Sequence, residues 1–176
     1  AASNRINDPA VAEKVLATGD ADLISLGRPL IADPDWPRKV QSDDCSVIRR
    51  CIACNQGCLA KTFFAQPVEC IINGYAGREY ELKMRKAKDP KEILVLGAGV
   101  AGCEFAIQAT LRGHNVTIWE KSDHIGGQVH LAAAPHSKHE FMNIVTYYTA
   151  ALRKLNIGIA FNKTASADEI KSACFD

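Results

Sequence analysis

"EILVLGAGVAGCEFAIQATLRGHNVTIWEK", residues 92–121, changes its hydrophobic period twice within thirty positions, and those changes decide the fold. "EILVLGAG" reads as a strand running into a glycine turn, "VAGCEFAIQATLRGH" as a helix ending near Gly113, and "NVTIWEK" as a second strand. A strand, a crossover helix and another strand make a βαβ unit, with its strands parallel in one sheet. Gly97-Ala98-Gly99-Val100-Ala101-Gly102 is G-x-G-x-x-G, a weak pattern alone that gains meaning between a strand and a helix. Gly97 permits the tight turn, Gly99 lets the backbone approach a pyrophosphate, and Gly102 lets helix and strand pack closely. The helix N-terminus then faces the phosphate charge. Glu120 closes the second strand, eighteen residues beyond Gly102. Its carboxylate can accept hydrogen bonds from ribose hydroxyls and repels a 2′-phosphate, so NAD or the adenosine half of FAD is expected here rather than NADP. The competing reading is a glycine turn that merely packs. "IGGQ", residues 125–128, is either a second backbone-close contact to the dinucleotide or a helix-entry turn.

Beyond this unit, "HEFMNIVTYYTAALRKLN" reads as a helix and "IGIAF" as a short strand. "SADEIKSACF" reads as a last helix, with Ser166 as cap and Glu169 at the capping-box position. Near the start, Asp8 can cap a helix with Pro9 in its first position and Gly19 at its end. The run "LISLG" follows as a buried strand with Gly27-Arg28 after it. A helix, a strand and a functional residue at the strand's C-terminal end belong to an α/β layout such as a β/α barrel. Eight such units make a barrel, and about one and a half are present, so the sequence is expected to be part of a longer chain.

Between these pieces, residues 46–90 show little periodicity and end in the charged connector "GREYELKMRKAKDPK". Their centre is Cys51-x2-Cys54-x3-Cys58-x11-Cys70. Three thiols in a loop with a fourth returning from farther along suit a [4Fe–4S] cluster, one thiolate per iron. A cysteine-only zinc site usually draws on two Cys-x2-Cys knuckles, and only one is present. The spacing also departs from both common ferredoxin patterns, so cluster, zinc and unligated thiols all stay open on the residues alone. The cations Arg49, Arg50 and Lys61 would raise a cluster's potential, or else form a solvated surface. Cys45, Cys103 and Cys174 fall outside the pattern and receive no chemistry. The five histidines match no ligand motif and read as surface or capping residues, and Tyr147 and Tyr148 as packing residues.

Composition excludes several function classes. Twenty-one Lys plus Arg against twenty Asp plus Glu leave a formal charge of +1, which points to no nucleic acid and no anionic membrane surface. No apolar run reaches the roughly 20 residues of a membrane span, and no signal pattern opens the sequence. A cytoplasmic setting is therefore expected, and an odd count of seven cysteines there favours metal ligation or buried thiols over disulfides.

Together, "ADLISLGRPLIADPDWPRKV", "IRRCIACNQGCL", Cys70 and "ILVLGAGVAGCEFAIQATLRGHNVTIWEKSDHIGGQ" strongly resemble the multi-domain NADH:flavin oxidoreductases related to old yellow enzyme. That group includes 2,4-dienoyl-CoA reductase, enoate reductases and trimethylamine dehydrogenase. The resemblance implies an α/β chain in three parts. Residues 1–45 would be the C-terminal end of an FMN-binding TIM barrel, 46–90 an irregular iron–sulfur segment with its linker, and 91–176 the first part of a Rossmann-like FAD/NAD(P)-binding domain. It implies that Gly27 and Arg28 hold the FMN phosphate, as suits a guanidinium, although "GRP" alone equally fits an ordinary turn. Asn4-Arg5 stands where relatives tend to have Gly-Arg. Cys51, Cys54, Cys58 and Cys70 match the cluster ligands, and the spacing is more like the dienoyl-CoA and enoate reductase branch than the amine dehydrogenases. Gly97, Gly99, Gly102, Glu120, Gly127 and Gln128 match the FAD site. The implied path runs from NADH or NADPH to FAD, through the cluster to FMN, and on to an unsaturated small-molecule substrate. Substrate site and catalytic acid would lie outside these residues. The alternatives are an amine dehydrogenase relative with ADP in place of FAD, and a zinc-stabilised nucleotide-binding module without redox role.

Overall fold

Alternating β-branched residues and a glycine turn build the sheet on which the second half of the chain is organised. The computed structural model describes residues 1–176, which divide into two units, Ala1–Lys83 and Met84–Asp176.

In the second unit, β1 (Glu92–Leu96) and β2 (Asn115–Trp119) pair in parallel, with Glu92 opposite Asn115 and Leu96 opposite Trp119. β3 (Gly158–Ala160) pairs in parallel with the far side of β2, from Thr117 opposite Gly158 to Trp119 opposite Ala160. The order β1-β2-β3 is that of one mononucleotide-binding half of a doubly wound sheet. Between β1 and β2 runs α5 (Val100–Leu111), which ends where Gly113 takes φ 101°, a left-handed value that costs glycine little. Val95, Cys103, Ile107, Ile118 and Leu152 are buried in one core. α7 (Met142–Lys154) covers it through Tyr148, Ala151 and Leu152.

One departure from the sequence reading lies here. The helix expected across residues 139–156 begins as α7 only at Met142, and a 3₁₀ turn (His136–Phe141) precedes it. Pro135, extended at φ -61° and ψ 137°, sets the entry, and Lys138 leaves helical geometry at φ -119°. The last helix, α8 (Ala167–Ser172), carries the expected capping box: Glu169 N–H donates to Ser166 Oγ at 3.2 Å and Ser166 N–H to Glu169 Oε2 at 3.1 Å. Lys163 pairs with the same carboxylate, which pulls the Glu169 pKa down to about 2. A short α6 (Val129–Ala133) follows the second glycine pair.

The first unit holds four helices, α1 (Pro9–Ala17), α2 (Arg28–Ala32), α3 (Trp36–Gln41) and α4 (Leu59–Thr62). Asp8 caps α1 by accepting from Ala10 N–H at 3.0 Å. Ile6, Ala12, Trp36 and Ile48 share a small core, so residues on both sides of position 45 pack together. The expected "LISLG" strand is reduced to a single parallel bridge, Ile24 with Ala2. A parallel ladder needs a neighbour of several residues, and the chain leaves after Ala2 because Asn4 and Arg5 both take left-handed φ, 72° and 57°. No helix is long and apolar enough to cross a membrane.

Candidate functional site

Three features shape the cysteine loop. Ala53 and Asn55 take left-handed φ of 53° and 60°, which coils residues 51–58 tightly enough for Asn55 C=O to accept Ala60 N–H at 2.9 Å and start α4. Gly57 C=O accepts Glu69 N–H at 2.7 Å, which carries the returning chain past the loop. A Cβ on Gly57 would lie 2.6 Å from the Glu69 carbonyl oxygen, so only glycine admits that approach. Asn73, buried, then fixes the far side by donating to Ile31 C=O at 2.9 Å.

By this route Cys51, Cys54, Cys58 and Cys70 line one recess, all four as half-buried free thiols. No three His, Cys, Asp or Glu side chains stand as a group able to hold one metal ion. Burial pushes the Cys51 thiol up, against the Ala53 N–H, which donates to its Sγ at 3.4 Å, and the nearby Arg28 charge. Burial likewise raises Cys70, opposed by the N–H groups of Ile72 and Asn73. Sulfur atoms met by backbone N–H groups and a guanidinium suit ligands that are thiolates when metal is bound.

Arg28 also faces a second cavity of about 580 Å³, lined by Asn4, Ser25, Gly27, Arg28 and Asn55 among others. Ile31, Arg28, Asn55 and Cys58 belong to both hollows, and so form the wall between them. Arg28 Nη1 donates to Asn55 Oδ1 at 2.7 Å and Nη2 to Asn4 Oδ1 at 3.2 Å. The cations singled out from sequence are engaged otherwise: Arg50 with Asp8 at 2.9 Å, Lys61 with Glu69 at 2.7 Å, and Arg49 with Ile72 C=O at 2.9 Å. Arg28 is the cation that acts on Cys51.

In the second unit, Gly97 takes φ 96° and donates its N–H to Trp119 C=O at 2.8 Å. A Cβ on Gly102 would sit 2.0 Å from Gly97 C=O, so glycine there is obligatory for the helix to meet the turn. A Cβ on Gly97 or Gly99 would meet open space, which leaves a bare backbone ledge that a pyrophosphate can approach. Gly126 N–H donates to Ala98 C=O at 2.8 Å, and Gly127 comes against Gly99. The second glycine pair therefore abuts the first, with Gln128 at the start of α6. Glu120 is buried, and each of its oxygens accepts a backbone N–H, Oε2 from Ala98 at 2.6 Å and Oε1 from Ser122 at 2.8 Å. Burial opposes its ionisation, but these donors prevail and hold the carboxyl below its ordinary range. The Ser122 side chain is a third donor to it, and a carboxylate has about four lone-pair sites, so one remains for a ribose hydroxyl. Cys103 is sealed in the core, donates to Ala98 C=O at 3.3 Å and has its pKa pushed up to about 12 by burial.

Sequence reasoning gave Asn55 and Gly57 no role. The signal was present as "CNQGC", an asparagine and a glycine inside the cysteine loop, the residue types that fill left-handed or crowded backbone positions.

The sequence profile of the NADH:flavin oxidoreductase / NADH oxidase family matches residues 1–45, and that of the NAD(P)-binding Rossmann-like domain matches residues 95–154. A metal reductase of Desulforamulus reducens is 49% identical over 98% of the chain, which spans 26% of that protein. The chain belongs to the NADH:flavin oxidoreductase family. Other members of the family are similar over the same extent. A cinnamate reductase of Clostridium sporogenes is 36% identical over 96% of the chain and 25% of its own length. The solved structure of a 2-naphthoyl-CoA reductase in complex with 2-naphthoyl-CoA superposes with a TM-score of 0.96 and 40% identity, over 99% of this chain and 27% of that one. The chain thus spans about a quarter of the length of these oxidoreductases.

Proposed function

We propose that the chain carries the iron–sulfur and flavin-binding parts of an NAD(P)H-dependent oxidoreductase that reduces an unsaturated, enoate- or dienoyl-type substrate. The observation that carries this reading is the shared wall: the four-thiol recess and the larger cavity at Gly27 have Arg28, Ile31, Asn55 and Cys58 in common. Cys51, Cys54, Cys58 and Cys70 would hold a [4Fe–4S] cluster, which when bound supplies single-electron transfer between two flavins. The three-plus-one spacing of the thiols, with only one Cys-x2-Cys knuckle, supports a cluster over a cysteine-only zinc site.

The chain's own residues then bind and orient. Gly27 leaves backbone accessible beside the larger cavity, and the Arg28 fork offers paired N–H donors to the phosphate of FMN. The ledge at Gly97 and Gly99 takes the pyrophosphate of FAD, and Glu120 accepts from a ribose hydroxyl while its other lone pairs lock the turn. Gly127 and Gln128 close the second side of that site. No residue of this chain is assigned to the chemical step or to the substrate.

Anaerobic purification of the full-length protein tests the reading. It predicts about four irons and four sulfides per chain, with FMN and FAD released together, and NADH or NADPH oxidation that depends on a cinnamate- or enoyl-type acceptor. ADP in place of FAD with oxidation of an amine would assign the amine dehydrogenase alternative. One zinc and no flavin would refute the redox role.

A further inference from the structure

We propose that Asn55 positions Arg28, so that the thiol loop and the anion site at Gly27 are mechanically one device; this rests on the reading of the larger cavity as the FMN phosphate site.

Arg28 enters that cavity from the first residue of α2, with no ion pair to hold it. Its terminal nitrogens are held instead by two amide oxygens, Asn55 Oδ1 at 2.7 Å and Asn4 Oδ1 at 3.2 Å. A guanidinium has five donors and no acceptor, so these two bonds fix its plane and leave the remaining N–H groups for an anion. Two neutral oxygens do this without neutralising the charge, as a carboxylate partner would. Of the two, Asn55 makes the shorter bond, and both take left-handed φ. Asn55 sits between Cys54 and Cys58 at φ 60°, a left-handed value asparagine tolerates well, and its C=O is committed to Ala60 N–H. The place of Oδ1 is therefore set by the cysteine loop. When Cys54 and Cys58 are fixed by ligation, Asn55 and through it the Arg28 fork become fixed as well. The same bond keeps the guanidinium in the wall of the thiol recess.

Asn55→Gly removes the acceptor and keeps the left-handed backbone accessible. Gln56→Gly loosens the same loop at an exposed residue outside both cavities and serves as control. In the full-length protein freed of flavin, FMN titration is expected to give about tenfold weaker binding for Asn55→Gly, the scale of one charge-assisted hydrogen bond. Gln56→Gly stays within about twofold, the ordinary range for a surface change. Iron content is unchanged in both variants. In an Arg28→Lys background, which keeps the charge without the fork, Asn55→Gly adds less than about twofold, because its effect runs through the guanidinium. The midpoint potential of the iron–sulfur centre falls in Asn55→Gly and not in Gln56→Gly, since a cation held near the sulfurs favours the reduced state. Equal losses in the wild-type and Arg28→Lys backgrounds, or undiminished FMN affinity in Asn55→Gly, would overturn the positioning role alone. A wild-type protein that takes up no FMN would overturn the reading of the cavity and this role with it.

Discussion

Gly57→Ala is the sharpest probe of how the fourth cysteine reaches the other three. The added Cβ would stand 2.6 Å from the Glu69 carbonyl oxygen, 2.8 Å from its carbon and 3.2 Å from Cys70 N. Ordinary contact begins near 3.4 Å, so the two backbones must part by about 0.8 Å, the difference between 3.4 and 2.6 Å. Both opposing groups are backbone, and no side-chain rotation relieves the clash. The hydrogen bond from Glu69 N–H to Gly57 C=O, 2.7 Å, stretches with them. Overpacking of this kind costs about 1–3 kcal/mol, and a lost backbone hydrogen bond about 1 kcal/mol more. The displacement falls on the residue next to Cys70, whereas metal–ligand distances tolerate only about 0.2 Å. The variant is therefore expected to lose most of its iron and sulfide after anaerobic purification, with a urea midpoint lowered in proportion. Gly74→Ala, in the same segment but with nothing within 4 Å of its added methyl, keeps both. A Gly57→Ala protein with the wild-type complement of iron and an unshifted midpoint would show that Cys70 does not depend on this approach, and the reasoning would fail.

Three further outcomes follow from the second unit. Gly102→Ala puts a Cβ 2.0 Å from Gly97 C=O, so stability should fall by about 3 kcal/mol or more and FAD or ADP affinity with it, as read by calorimetry. Glu120, buried, titrates below its ordinary 4.5 in the fold, so the stability it contributes is full above about pH 4.5 and is lost as pH falls through its lower native value. Denaturant curves from pH 7 to 3 should show Glu120→Gln less stable at neutral pH and less sensitive to acid than wild type, and parallel curves would refute this. Cys103, with its pKa near 12 and no exposed surface, should resist iodoacetamide at pH 8 in the native protein while exposed Cys174 is alkylated, as mass spectrometry of the peptides would report.

The βαβ unit was legible because each of its signals is local. The apolar run of β1, the glycines of the turn, the length of α5 and Gly113 at its end each carry their meaning within a few residues. The "LISLG" strand was not, because a strand exists only with a partner, and Ile24 finds one residue, Ala2, before Asn4 and Arg5 turn the chain. The start of α7 differs from its sequence pattern for a smaller reason: helical composition runs back past Met142, but the Pro135 entry and Lys138 divert the first turn into a 3₁₀ form. At the site, the thiol spacing is a local signal and the bond from Arg28 to Asn55, across twenty-seven positions, is not. Sequence singled out Arg49, Arg50 and Lys61 by nearness along the chain, whereas nearness in space belongs to Arg28. Glu120 was found by its position at the end of β2, yet its two backbone donors depend on how the glycine turn folds back onto it.

Why the thiol recess should lie beside the larger cavity follows from where the cysteine segment is tied. Asn7 Nδ2 donates to Cys51 C=O at 2.6 Å, Asn73 to Ile31 C=O at 2.9 Å, and Arg49 N–H to Asp33 Oδ2 at 2.8 Å, the last on a carboxylate that Lys39 also holds at 2.6 Å. Each tie runs from the cysteine segment to a residue within 1–45, the stretch that matches the flavin oxidoreductase profile. Asp33 and Asn73 are buried, so breaking either tie strands a polar group at about 1–3 kcal/mol. The loop therefore cannot drift from Arg28 and Gly27 without unfolding part of the unit. A metal site that only stiffened a loop would need no such anchoring to one neighbouring cavity. The electron relay proposed above would need it, because its use depends on keeping a fixed, short distance to the group it serves.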